Sequence, residues 1–327
     1  MDFQLTEDQR ALRSGVRELL AGRFPRERLR AAVDGDGPVV DRGLWRELGE
    51  AGLFGLRLPE TEGGVGLGLP EAVLLFEEAG RVLLPGPLIA THLAAGLVAG
   101  AASGERVVGM CDTTAKEPLW EHPAECDELI FLGDGDGDDD DGEVCSVDPS
   151  SLAVTALRSV DPLTPLARVV VPEGGRPLGA DASRLRREAA LLTAAEQLGS
   201  AARTVEAAVS YAKERTQFDR PIGSFQAVKH LCAQMLVRAE AARSAVYAAS
   251  VTREPGDVAA AKLLADEAAV HNARDCLQVH GGMGFTWEAD VHLHLKRAWL
   301  RARRWQSAAA GEEALAEELL TEGNVLL

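Results

Sequence analysis

The chain has 327 residues, of which 46% are apolar and 26% charged, the composition of a soluble globular protein. This length is more than one hydrophobic core usually serves, so two or three domains are predicted. The formal net charge of -17 disfavours nucleic-acid binding, because an acidic surface repels phosphate backbones.

The N-terminus has no basic stretch followed by an apolar one, and no run approaches 18 apolar residues. Neither a secretory signal nor a membrane span is therefore predicted. Five cysteines are widely spaced with no C-x-x-C pair: Cys111, Cys126, Cys145, Cys232 and Cys276. This spacing argues against a disulfide framework and a zinc site, and a reducing cytoplasm is expected.

Residues 1–103 are predicted to form an N-terminal helical domain. Thr6 and Gln9 have the spacing of a capping box ahead of an apolar stripe. Further helices are predicted at 44–51 and 70–82, and another from Pro87 to about Gly100.

Residues 104–180 are predicted to form a small β domain. Short β-prone runs at 106–110, 128–132, 151–157 and 167–171 are separated by Gly, Asp and Pro. The acidic segment 134–142 fails the EF-hand pattern, because its sixth position is Asp139 and its twelfth is Cys145. A solvated hairpin tip is the favoured interpretation, and a metal site is the alternative.

Residues 181–327 are predicted to form a C-terminal four-helix bundle. Apolar residues recur at alternating spacings of three and four along 191–212, 225–249 and 291–309, and a fourth helix is predicted at about 257–279. The fold class is therefore α+β, mostly α.

Residues 211–230 lie between two of these helices. Pro221 and Gly223 interrupt the helix and expose backbone groups. Arg215 offers a permanently charged planar fork suited to phosphate, and Gln217 and Gln226 add neutral hydrogen bonding. Two interpretations stay open: an anion site, or a loop in which Arg215 forms a surface salt bridge.

A second segment, 278–288, brings a helix into three glycines within four residues. This pattern permits close approach of a ligand to backbone N–H groups, but it is also typical of a helix C-cap and turn. His280 beside it is interpreted as structural. His292 and His294 point to different faces of a helix, so no metal site is predicted.

Together the two segments resemble the signatures of the acyl-CoA dehydrogenase family. Residues 215–226, R-T-Q-F-D-R-P-I-G-S-F-Q, are similar to R-x-Q-F-G-x-P-I-G-x-F-Q, with Asp219 in place of the usual Gly. Residues 278–288, Q-V-H-G-G-M-G-F-T-W-E, resemble the second signature, and the M-D-F start and the stretch at 58–66 are also typical.

The resemblance implies FAD bound between subunits. It implies that Arg215 pairs with the diphosphate. It further implies that Gln217, Phe218 and Gln226 line the adenosine and ribityl region, and that Gln278, Gly281 and Gly282 bind the adenine–diphosphate arm. The family reaction is α,β-dehydrogenation of an acyl-CoA thioester: a carboxylate removes the α-proton and flavin accepts the β-hydride. An electron-transferring flavoprotein is the expected acceptor.

The chain departs from the family pattern in two places. The position of the common catalytic glutamate falls near Trp305, within 303–307, where no carboxylate occurs. Some members carry the base on the first bundle helix, where Glu188 is a weak candidate. The β domain is short, and it lacks the threonine-glutamate-proline motif and the tryptophan strand that cover the flavin ring.

These departures resemble the short subunits of heteromeric acyl-CoA dehydrogenases from actinobacterial steroid-degrading systems. One hypothesis is therefore a subunit that completes the FAD site of a dimer or tetramer, such as a heterotetramer, without supplying the base. A second is an autonomous enzyme with a displaced base such as Glu188. A third is a repurposed scaffold. A bulky, sterol-derived CoA thioester is suggested by analogy alone.

Overall fold

The computed structural model describes residues 4–115, 117–134 and 142–323. Most of the acidic segment 134–142, namely residues 135–141, lies outside the described residues. The chain forms two compact units. The bundle unit comprises residues up to 20, 73–83 and from 190 onward, and the mixed unit comprises 21–72 and 84–189.

Helices dominate the described residues, which confirms the predicted class of α+β, mostly α. They are α1 Glu7–Arg23, α2 Arg26–Asp34, α3 Arg42–Glu50, α4 Leu69–Arg81, α5 Leu88–Leu93, α6 Ala182–Glu214, α7 Gln226–Thr252, α8 Pro255–His280, α9 Val291–Arg301 and α10 Ala308–Gly323. No helix within the described ranges combines the length and the apolar character needed to cross a bilayer.

The start of α1 is a capping box, as predicted. The backbone N–H of Thr6 donates to Gln9 Oε1, and that of Gln9 donates to Thr6 Oγ1, both at 3.1 Å. The prediction omitted α2, whose only buried residues are Leu29 and Val33. It also made α5 too long, because the chain turns after Leu93 instead of continuing to Gly100.

The strands of the mixed unit form two small sheets. They are β1 Val108–Asp112, β2 Leu119–Glu121, β3 Glu128–Leu132, β4 Val144–Val147, β5 Val154–Leu157, β6 Leu166–Val169 and β7 Arg176–Pro177. One sheet has the order β1-β3-β4-β7, with β1 parallel to β3, and the other is the antiparallel β2-β6-β5. The sequence missed β2, β4 and β7, which are short and carry little periodicity.

Small residues and buried polar contacts contribute to the packing of the bundle unit. A Cβ built on Gly199 of α6 would overlap the carbonyl oxygen of Glu77 in α4, so glycine permits this close helix approach. Gln197 of α6 donates to Asp266 of α8 at 2.9 Å. Ser200 of α6 hydrogen-bonds His294 of α9 at 2.8 Å.

The predicted helix at 291–309 is wrong in its length. It ends at Arg301, and Trp305 then adopts a positive φ of 65° before α10 begins. The ammonium of Lys262, which is 1% exposed, donates to the carbonyls of Arg301 at 3.1 Å and Gln306 at 3.5 Å. The apolar spacing continues across the break, so spacing alone could not predict a helix end at Arg301. The contacts that Lys262 makes with these carbonyls come from a residue distant in the sequence, and periodicity does not report them.

Candidate cofactor-binding site

A tight hairpin joins α6 to α7 in the bundle unit. Its two short strands, β8 Thr216–Gln217 and β9 Arg220–Pro221, pair Gln217 with Arg220. The two turn residues, Phe218 and Asp219, have φ of 52° and 60°. Positive φ at both central positions defines a type I′ turn, which favours Gly, Asn or Asp. The turn holds the Phe218 ring outward, with 84% of the residue exposed.

Arg215 stands at the base of this hairpin. Its backbone is fixed, because its N–H donates to the Tyr211 carbonyl and its carbonyl accepts from the Ile222 N–H, both at 2.8 Å. Its guanidinium is exposed and has no ion pair or hydrogen bond within the described part of the chain. Gln217 and Gln226 are also exposed. The hairpin therefore presents a cation and two amides to the outside.

The glycine segment begins where α8 ends. Gly281 has φ of 59° and ψ of -141°, a conformation reserved for glycine, and 281–285 form a 3₁₀ turn. A Cβ on Gly282 would meet no atom within 4 Å, whereas one on Gly284 would lie 3.0 Å from the Cβ of His280. The packing of this chain thus explains the glycine at 284 and leaves open space beside the backbone at 282. Gln278, in the last turn of α8, is exposed.

The structure brings the hairpin and the glycine segment to the same end of the bundle. The rings of Tyr211, at the end of α6, and His280, at the end of α8, stack with centroids 4.2 Å apart. Nδ1 of His280 hydrogen-bonds the carbonyl of Cys276 at 2.8 Å. Tyr211 and Ile222 both pack on the core that includes Leu277. His280 thus has a packing role that links the two segments.

Exposed apolar side chains surround these segments. Phe218 of the hairpin and Met283, Phe285 and Trp287 of the glycine segment are 84%, 57%, 74% and 48% exposed. Lys296 lies 4.5 Å above the ring of Trp287. Large exposed apolar groups gathered near one site are typical of a surface that another subunit covers.

The place expected for the catalytic glutamate lies between α9 and α10. Arg304 is buried there, with its guanidinium 5.4 Å from the ring centroid of Trp305. Within the ranges that the structure describes, no cluster of three His, Cys, Asp or Glu side chains could hold a metal.

Glu188, the weak candidate for a displaced base, lies in the mixed unit. Arg57 donates to both of its carboxylate oxygens, at 2.7 and 3.0 Å, and Arg184 lies 3.7 Å away. These residues line a cavity of about 180 Å³ together with His92 and apolar side chains that include Phe54. Both carboxylate oxygens of Glu188 are engaged in this bidentate ion pair, which disfavours a role as general base. Sequence reasoning missed Arg57 and His92, which belong to no recognisable motif.

Residues 6–105 match the acyl-CoA dehydrogenase N-terminal domain, and residues 182–322 match the acyl-CoA dehydrogenase C-terminal domain. Acyl-CoA dehydrogenase IpdE2 of Mycobacterium tuberculosis is 37% identical over 296 residues, which are 89% of this chain and 91% of that protein. The chain belongs to the acyl-CoA dehydrogenase family.

Another member of the family, acyl-CoA dehydrogenase FadE34 of Mycobacterium tuberculosis, is 39% identical over 280 residues. That match covers 79% of this chain and 39% of FadE34, so the chain spans well under half the length of this relative. Two solved structures are 26% identical and each covers 98% of this chain and 99% of the matched chain. They are the ChsE4–ChsE5 complex from Mycobacterium tuberculosis, with a TM-score of 0.83, and the Tcur3481–Tcur3483 steroid acyl-CoA dehydrogenase variant, with 0.82.

Proposed function

We propose that this chain is the subunit of a heteromeric acyl-CoA dehydrogenase that completes an FAD site without supplying the catalytic base. The observation that carries the proposal is the pairing of two open segments at one end of the bundle. The Tyr211–His280 stack holds the hairpin with the unpaired guanidinium of Arg215 beside the glycine turn with its unobstructed backbone at Gly282.

These residues fit a dinucleotide. Arg215 would pair with a phosphate of the diphosphate, and the Gln278 side-chain amide and the Gly282 N–H would donate to the adenine–diphosphate arm. Gly281, whose own N–H is engaged by the carbonyls of Gln278 and Leu277, would contribute by letting the arm approach its backbone closely. Gln217, Phe218 and Gln226 would border the adenosine and ribityl region. When bound, FAD supplies the acceptor for the β-hydride. This chain's own part is to bind and orient the cofactor, and an adjoining subunit supplies the base.

The lack of a carboxylate within 303–307 supports a catalytic base supplied by another subunit. Arg304 and Trp305 occupy the segment where the family's glutamate is expected, and a cation there cannot remove an α-proton. The exposed rings of Phe218 and Phe285 give a partner subunit apolar surface to cover. The ChsE4–ChsE5 neighbour is itself a complex of two different chains.

The same comparisons support a proposal for the substrate. We infer a steroid-derived acyl-CoA thioester, since one structural neighbour is a steroid acyl-CoA dehydrogenase. An electron-transferring flavoprotein would accept the electrons. All five cysteines are free thiols, which suits a reducing cytoplasm.

An autonomous enzyme that uses Glu188 as its base is the second candidate. The observation in its favour is the cavity that Glu188 lines with Phe54 and His92. The bidentate contact from Arg57 opposes it, because both carboxylate oxygens are already engaged. Glu188→Gln separates the candidates: dehydrogenation survives if a partner supplies the base and is abolished if Glu188 does.

The decisive experiment is expression of the chain alone and together with a candidate partner acyl-CoA dehydrogenase that carries the catalytic glutamate, followed by a count of FAD per subunit. A colourless chain that becomes a yellow, active complex with the partner supports the proposal, and a yellow, active chain alone contradicts it. In the complex, Arg215→Ala should weaken FAD binding roughly ten- to hundredfold, the usual loss for a charge-assisted hydrogen bond. Arg46→Ala is the matched control, since Arg46 is exposed on α3 and has no ion pair within the described residues.

A further inference from the structure

Arg220 is the hairpin's second arginine, and it falls at a variable position of the signature. Its guanidinium carbon lies 4.2 Å from the centroid of the Phe225 ring. Within the described residues Arg220 has no acidic partner, although Glu214 and Asp219 are close in sequence. The Arg220 guanidinium therefore contacts the Phe225 ring, and no carboxylate in the described part of the chain neutralises its charge.

The register of the hairpin places Arg220 close to Arg215. Gln217 and Arg220 are direct cross-strand partners, and Arg215 pairs through its carbonyl with Ile222. Directly opposed side chains of a hairpin lie on one face, so Gln217 and Arg220 share a face. Arg215 immediately precedes β8 and Ile222 immediately follows β9, so Arg215 lies at the base of the same hairpin. Arg215 and Arg220 are then diagonal neighbours, whose Cα atoms are typically about 7–8 Å apart.

Phe225 is a fixed platform for Arg220. Its N–H donates to the Ile222 carbonyl at 3.1 Å, and its ring meets that of Phe218 edge-on with centroids 6.0 Å apart. A guanidinium that stacks on a ring keeps its in-plane N–H groups free for a phosphate. Holding the side chain in place before binding also reduces the conformational entropy that binding removes.

The local charge favours an anion here. Residues 213–229 carry four cations and two acids, in a chain whose net charge is -17. The cations are Lys213, Arg215, Arg220 and Lys229. A diphosphate has two anionic groups, and one arginine neutralises only one of them.

We propose that Arg220, positioned by Phe225, is a second phosphate ligand that clamps the dinucleotide diphosphate together with Arg215. This inference rests on the proposed function, since it assigns a further residue to the same site. It predicts that the phosphate groups are bound by a pair of arginines, of which the family signature contains only Arg215.

The test is FAD reconstitution of the apo complex, followed by flavin fluorescence at several salt concentrations. Arg220→Gln removes the charge and keeps a hydrogen-bonding group, and it should weaken FAD binding roughly tenfold or more. Arg220→Lys should recover part of the affinity, because a point charge replaces the fork. Phe225→Leu removes the ring and should cause a smaller loss than Arg220→Gln. Affinity in Arg220→Gln should also fall less steeply with added salt.

ADP and adenosine as competitors identify the group that Arg220 touches. Arg220→Gln should weaken competition by ADP and leave competition by adenosine unchanged. Equal loss for both competitors would place Arg220 away from the phosphates and overturn the inference. Weakened FAD binding in Arg215→Ala with wild-type binding in Arg220→Gln would also overturn it, while the proposed function would stand. Wild-type FAD binding in both variants would overturn the inference and the proposed function together, provided that circular dichroism shows each variant folded.

Discussion

The hydroxyl of Tyr247 donates a hydrogen bond of 2.6 Å to the carboxylate of Glu77, which is 1% exposed. Arg243 forms an ion pair with the same carboxylate. The buried negative charge is thus compensated by a cation and a phenol from α7. Burial and the Glu77 charge raise the pKa of Tyr247 to about 12.

Titration of the phenol checks this arrangement. The chain has two tyrosines, so Tyr211→Phe leaves Tyr247 as the only one that titrates. Its ultraviolet phenolate absorbance should have a midpoint near pH 12 in the folded protein and about 10 in denaturant. Because the unfolded state loses its proton first, this group lowers stability as pH rises between those values. A folded-state midpoint near the denatured value would contradict the buried contact with Glu77.

His92 should make the protein sensitive to acid. Burial, and secondarily the charge of Arg57, lower the pKa of His92 to about 4, and its Nδ1 lies 3.1 Å from the Leu53 carbonyl. The unfolded state binds the proton more readily, so stability should fall as pH drops from about 6.5 towards 4. Between about pH 7 and pH 5 the His92 contribution amounts to about 2 kcal/mol.

The control for His92 is His92→Asn, whose side-chain amide can still donate to the Leu53 carbonyl but does not titrate. Urea unfolding at the two pH values should show a smaller pH dependence in this variant. An unchanged dependence would mean that His92 is not buried in its neutral form.

Gly199→Ala should destabilise the bundle strongly. The new methyl would overlap the carbonyl of Glu77, so α4 and α6 would have to separate. We expect a loss of about 1–3 kcal/mol or more in the free energy of unfolding, measured by chemical denaturation. Gly15→Ala is the matched control, because a Cβ there meets nothing within 4 Å in α1. Gly15→Ala should raise the free energy of unfolding by about 0.5–1 kcal/mol. Similar effects of the two changes would contradict the close helix approach.

Asp219→Gly should relax the hairpin. Asp219 has φ of 60° in a position where the family signature has glycine, and glycine adopts this conformation without strain. We expect the local stability of the hairpin to rise by up to about 1 kcal/mol. This rise should appear as slower hydrogen exchange of the Ile222 amide, which closes the hairpin. Asp219→Ala should speed the same exchange, because alanine tolerates positive φ less well than aspartate. Slower exchange in Asp219→Ala would argue against the strained turn.

The amino-acid sequence by itself determined the local structure and the family. The capping box of Thr6 and Gln9, the periodic helices of the bundle and the two signature segments depend on neighbours a few residues apart, which spacing reveals. Asp219 in place of glycine was visible in the motif, although its strain was not.

The tertiary structure decided which of these segments meet and which charges are satisfied. Tyr211 and His280 are distant in the chain, so no periodicity could predict their stack, which brings the hairpin to the glycine turn. The ion pair of Arg57 with Glu188 and the hydrogen bond from Lys262 to the Arg301 carbonyl also join residues that are distant in the chain. Such contacts depend on how whole helices pack, and packing is selected by the combined shape and polarity of many side chains.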